Sequence, residues 1–204
     1  KKFNLLNTFT GHVGAISSIA LTPDASFMAT GGTDGTFRLW DLDSQKLLYT
    51  FVAPDRGTIL SISMTPDAKH LLVGTSTGKA YLCQPSAISP ILELSGHFSG
   101  VFATSITPDG NFFITGSYDN SAILWRMDNP PIDIQHFVAN DTISAVALSE
   151  NAELIYTGSR DRTVRLWKQG ILQPIRIFKG HDQGISALAI TPDGKFLVTA
   201  SDDH

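Results

Sequence analysis

The chain has 204 residues, of which 42% are hydrophobic and 17% charged, and its formal net charge is -4. That length can bury a core of its own, while a charged share below the roughly 25% of an average soluble domain argues against long solvated helices. The acidic balance offers no footprint for a phosphate backbone, so no nucleic acid partner is expected. No apolar run approaches membrane-spanning length, and the start KKFNLLNTF develops no signal-peptide core, so neither a membrane nor export is expected. The single cysteine, Cys83, permits no internal disulfide and fits a reducing, cytoplasmic setting.

In chain order, NLLNTF reads as a lone opening strand. The alternating run AISSIAL then leads into the turn TPDAS, FMATGG into the tight turn TDG, and TFRLWDL through SQ into KLLYTF. These are four short strands, a to d, rich in β-branched and aromatic residues and separated by Pro, Asp, Gly and Ser. The punctuation returns along the chain. Pro23 recurs as Pro66, Pro108, Glu150 and Pro192 at steps of 43, 42, 42 and 42, and one aromatic slot holds Trp40, Cys83, Trp125 and Trp167. Gly-His recurs at Gly11-His12, Gly96-His97 and Gly180-His181. The units expected are 1–10 (d only), 11–52, 53–95, 96–138, 139–179 and 180–204 (a and b only), all within one domain. The segment VGTSTGK imitates a phosphate loop, but it lacks the first Gly, the hydroxyl after Lys79 and a following helix, so it reads as the b–c hairpin of the second unit.

With Gly-His, a hydroxyl on strand b, an Asp turn and Trp40-Asp41 in register, the chain resembles the WD-repeat β-propellers over essentially all its length. The fold implied is all-β: a partial ring of four complete four-stranded blades, with a leading d strand and a trailing a–b hairpin. An open ring leads to the expectation that the remaining blades come from a longer chain, seven in all by family habit.

The resemblance also implies a buried hydrogen-bond chain in each blade: His12, Thr30, Asp34 and Trp40 in the first, and His97, Thr115, Asp119 and Trp125 in the third. The fourth keeps Thr157, Asp161 and Trp167, with Ala139 or Asn140 in the His slot; the trailing unit has His181, Thr199 and Asp203. In the second, every member has changed: Pro54 or Asp55, Val73, Thr77 and Cys83. Losing one partner orphans the others, whereas replacing them all can be near neutral, so that blade is expected to rest on packing alone.

A repeated Thr, His and Asp invites a hydrolase reading, but the set recurs with a Trp that catalysis does not need, and no Gly-x-Ser-x-Gly elbow is present. No catalytic residue, metal or cofactor is therefore expected, and the histidines show no short ligand spacing. Arg160, Arg162, Arg165 and Lys168 read mostly as a solvated strand face, with contact to an acidic partner as the alternative.

For partners, the resemblance points to the face carrying the start of strand a and the residue before the turn Asp. The candidates there are Leu60, Phe102, Tyr118, Arg160, Thr33 and Asp202, and a core role for Phe102 is equally open. The function expected is a non-catalytic scaffold or sensing module for protein or peptide partners. The alternative is a regulatory or substrate-binding propeller of a larger enzyme or signalling protein whose catalytic domain lies outside this segment.

Overall fold

A computed structural model describes residues 5–87, 90–128, 132–191 and 193–203; Asn4, Pro192 and His204 lie outside them. The described residues form four four-stranded antiparallel sheets and a final hairpin, each in simple chain order, and contain no helix. The first sheet is β1 (Ile16–Leu21), β2 (Phe27–Gly32), β3 (Thr36–Asp41) and β4 (Lys46–Val52). The second is β5 (Ile59–Met64), β6 (Leu71–Thr75), β7 (Lys79–Cys83) and β8 (Leu92–Ser95). The third is β9 (Val101–Ile106), β10 (Phe112–Ser117), β11 (Ser121–Arg126) and β12 (Ile132–Val138). The fourth is β13 (Ile143–Leu148), β14 (Leu154–Ser159), β15 (Val164–Lys168) and β16 (Arg176–Phe178), and β17 (Ile185–Ile190) pairs with β18 (Leu197–Ser201).

The a–b turns are closed by side chains. Thr22 Oγ1 donates to Asp24 Oδ1 at 2.7 Å and accepts the N–H of Phe27 at 3.0 Å. Ser149, Asn151 and Leu154 repeat this arrangement in the fourth sheet, at 3.0 Å and 3.0 Å, so the chemistry of the turn survives the loss of its Thr-Pro-Asp spelling. The residue after the acid takes a left-handed backbone, as Ala25 at φ 57° or Gly110 at φ 73°.

The sheets stack face to face with the core between them. Ala29, Phe37, Leu39 and Phe51 of the first meet Ile59, Ile62, Leu71, Val73 and Tyr81 of the second, all buried. The leading strands β1, β5, β9, β13 and β17 touch in succession, which fans the sheets about a common axis. Close approach is permitted by glycine on strand b: a Cβ on Gly116 would stand 2.6 Å from Ile143 Cγ2 of the next sheet. Serines stitch the same seam. Ser17 Oγ donates to the Ile59 carbonyl, and Ser61 Oγ to that of Val101 at 3.2 Å.

Two features complete the fold. The opening segment, expected as a d strand, carries no ladder over residues 5–10, because a strand exists only beside a hydrogen-bonding neighbour and none of the described strands lies alongside. Phe9 instead packs edge-on against Trp40, ring centroids 5.3 Å apart. At the two ends of the fan, apolar side chains face outward, with Ile19 58% exposed on β1 and Phe196 70% exposed beside β18.

Candidate binding face and the polar latches beneath it

In the first sheet, the Trp40 indole N–H donates to Thr30 Oγ1 at 2.9 Å, Thr30 Oγ1 lies 2.9 Å from His12 Nε2, and His12 Nδ1 lies 3.0 Å from Asp34 Oδ2. Counting protons orders the chain. The hydroxyl accepts from the indole and gives its one proton to Nε2, which leaves Nδ1–H for the carboxylate. The third sheet repeats it through Trp125, Thr115, His97 and Asp119 at 3.0, 2.8 and 3.0 Å, and the final hairpin brings His181 to Thr199 at 2.9 Å and Asp203 at 3.0 Å.

Burial alone would raise the Asp34 and Asp119 carboxyls, yet both are held below the usual carboxylate range. The Val13 N–H and the Thr36 hydroxyl bind one, and the Ser121 hydroxyl and the Phe98 N–H bind the other. For His97, burial outweighs the neighbouring Asp119 charge and lowers the imidazole's pKa.

The fourth sheet solves the problem differently. Trp167 donates to Thr157 at 2.9 Å, but no imidazole follows. Of the two residues considered for that place, Ala139 is buried and Asn140 supplies only its backbone N–H to Asp161, at 3.1 Å. The partner is Arg165, whose Nη2 lies 2.7 Å from Asp161 Oδ2 with the two side chains only 8% and 10% exposed. Arg165 therefore does not lie on a solvated strand face. Opposite Thr157 and four residues after Asp161, it sits on the strand that leaves the turn, and without an imidazole the long side chain reaches inward. Burial tends to raise the Asp161 carboxyl, and the Arg165 and Thr163 hydrogen bonds hold it low.

The second sheet is not held by packing alone. Asp55 accepts from Thr75 Oγ1 at 2.8 Å and from Thr77 Oγ1, above a fully buried Tyr81. Sequence comparison followed Val73, the slot matching Thr30, whereas the working hydroxyl sits two residues on at Thr75, on the same face of the strand. Cys83, in the Trp slot, is a buried free thiol pushed up to about 12 by burial.

At the end of the fan where the a strands begin, each sheet carries a β-bulge. The residues left without a partner are Ser17, Leu60, Phe102, Ser144 and Ser186, since Ile16 and Ser18 pair with the consecutive Gly32 and Gly31, and the other sheets repeat the shift. A bulge takes one residue out of the in–out alternation and turns its side chain onto the rim. Leu60 and Phe102 consequently flank Gly100, within 3.0 and 3.2 Å of where its Cβ would stand. Phe102 meets Tyr118 edge-on at 4.3 Å, and the Arg160 guanidinium lies 5.4 Å from the Tyr118 ring centre. Beside them opens a cavity of about 570 Å³ lined by Phe102, Asp141, Ser144, Arg160, Gln183 and Asp202 among others. Five of the six candidate face residues thus gather on adjacent sheets. Thr33 holds the matching place on the first sheet, where its hydroxyl accepts the Ala15 N–H at 3.1 Å.

The family model for the WD domain, G-beta repeat, matches residues 3–41, 88–126, 132–168 and 172–204. The chain belongs to the WD-repeat family. Its sheets are WD-repeat blades, and the unmatched residues 42–87 hold β4 to β7, where the second blade has exchanged its His, strand-b Thr, Asp and Trp. Among similar proteins, HIR1 of Candida albicans is 26% identical over 92% of this chain and 21% of its own length. The small ribosomal subunit protein RACK1 of Candida albicans is 32% identical over 60% of this chain and 40% of its own. The guanine nucleotide-binding protein subunit beta-1 of Nicotiana tabacum is 29% identical over 58% and 33%. The chain spans less than half the length of each of these WD-repeat relatives.

Proposed function

We propose that this WD-repeat chain is a non-catalytic platform that docks a protein or peptide partner on the face built by the bulged ends of the a strands. The observation that carries the reading is the cluster of Leu60, Phe102, Tyr118 and Arg160 beside the 570 Å³ cavity. Aromatic and arginine side chains dominate interface energetics, and here three of them are pre-positioned by contacts with one another.

The His–Thr–Asp sets serve as latches. In the two complete sets the hydroxyl is committed on both sides and buried, Thr30 being 2% and Thr115 0% exposed, so neither is free to act as a nucleophile. No cofactor is invoked. Further blades of a longer chain would cover the apolar ends near Ile19 and Phe196, and a buried, unreactive Cys83 suits a reducing cytoplasm.

The test is capture of partners from a lysate by the intact protein and by its Tyr118→Ala and Arg160→Ala variants. The expected result is loss of the same captured proteins by about tenfold or more in both variants. Undiminished capture by both would place the binding face elsewhere.

A further inference from the structure

A second cavity, of about 400 Å³, opens on the outer side of the fourth blade, between its b–c turn and the loop leading into β17. Its lining includes Asn140, Asp161, Arg162, Arg165, Lys179 and His181. Three of these are cations and one is a carboxylate, so the lining is positive on balance even without the imidazole. The His181 ring adds no free donor, since both nitrogens are engaged, with Thr199 at 2.9 Å and Asp203 at 3.0 Å.

The decisive group is Arg165. Its side chain is only 8% exposed, Nη2 is committed to Asp161, and Nη1 is buried with no hydrogen-bond partner among the described residues. Leaving such a donor unsatisfied costs on the order of 1–3 kcal/mol, and an anion seated in the cavity would supply its acceptor. Arg162 stands beside it on the b–c turn, exposed, with the left-handed backbone that Gly35, Gly78 and Asn120 take at the same place in the other blades.

We infer that this cavity is a binding site for a phosphate group, a monoester or the free ion, held by Arg165, Arg162 and Lys179. A phosphate monoester carries about -1.5 to -2 charges at neutral pH, which matches the lining, and its several acceptor oxygens suit a guanidinium fork better than a single carboxylate does. The site is separate from the face of Leu60, Phe102 and Tyr118, so either can fail without the other.

The experiment follows backbone amide chemical shifts of the protein during titration with inorganic phosphate, in buffer free of sulfate and phosphate. A second arm uses a phosphoserine peptide with its unphosphorylated twin. Saturable shifts centred on residues 161–163 and 179–181, weakened about tenfold or more in the Arg162→Gln/Lys179→Gln double variant, are expected. Both substituted residues are exposed, so folding is not at stake. Tighter binding of the phosphopeptide than of the ion would assign the group to a partner polypeptide, and equal binding would assign it to the free ion. Absence of saturable shifts, or equal affinity in the double variant, would overturn the site.

Discussion

The first and fourth blades carry an arginine at the same place on strand c and use it in opposite ways. Arg38 packs along Gly11, where a Cβ would fall 1.8 Å from its Nη1, while His12 serves Asp34. Arg165, with no imidazole below it, turns in and serves Asp161 itself. The turn carboxylate is the fixed demand and the donor that meets it is variable. The second blade makes the complementary change, putting a carboxylate in the imidazole's place and drawing hydroxyls to it.

The largest test of this comparison is a matched pair of substitutions. Arg165→Met should destabilise the protein by about 3 kcal/mol, because it leaves a buried carboxylate without its counter-charge. Arg38→Met, which orphans nothing, should cost less than about 1 kcal/mol. Urea denaturation midpoints measure both, and equal losses would mean that the two arginines do the same work.

Acid sharpens the contrast. The folded blade lowers the pKa of His97 and so favours the neutral ring, which means its stabilisation is full above the unfolded value near 6.5 and is lost as pH falls. The lowered carboxyls of Asp119 and Asp161 likewise stabilise above the unfolded carboxylate range and lose that contribution only below about pH 4. Between pH 7 and 5 the third blade should therefore loosen before the fourth, which has no histidine in its latch. Hydrogen exchange corrected for intrinsic rates should show protection in β10 and β11 falling several-fold more than in β14 and β15, and His97→Asn should abolish the difference.

The smallest effect concerns the a–b turns. Exposed Ala25 holds the left-handed backbone that Gly110 takes freely in the third blade, so Ala25→Gly should raise stability by up to about 1 kcal/mol, read as a higher melting temperature.

Repeat and strand order were legible in the residues because each depends on local periodicity, whereas the two complete latches were legible only through the family resemblance, which assigns a slot to each member. Thr22 with Asp24, or Gly11 with His12, announces a turn by type and spacing alone. The compensations were not legible. Whether Arg165 reaches Asp161, or Thr75 rather than Val73 meets Asp55, depends on how far a side chain extends across neighbouring strands, and slot-by-slot comparison is blind to that. The bulges also escaped notice, because ISSIAL and VFATSI read as ordinary alternating runs until the register counts one residue too many. The opening strand is a different case, since its apolar letters say nothing about which strand bonds it and none of the described strands does.

The extra residue in each innermost strand has an evolutionary corollary. Because that position answers to no cross-strand mate, leucine and phenylalanine hold it in the second and third blades, while serine in the first and fourth also bonds the backbone of the next blade, with the same pairing shift in each. At Leu60 and Phe102 a substitution can thus change the surface of the rim while the strand pairing below is left as it was.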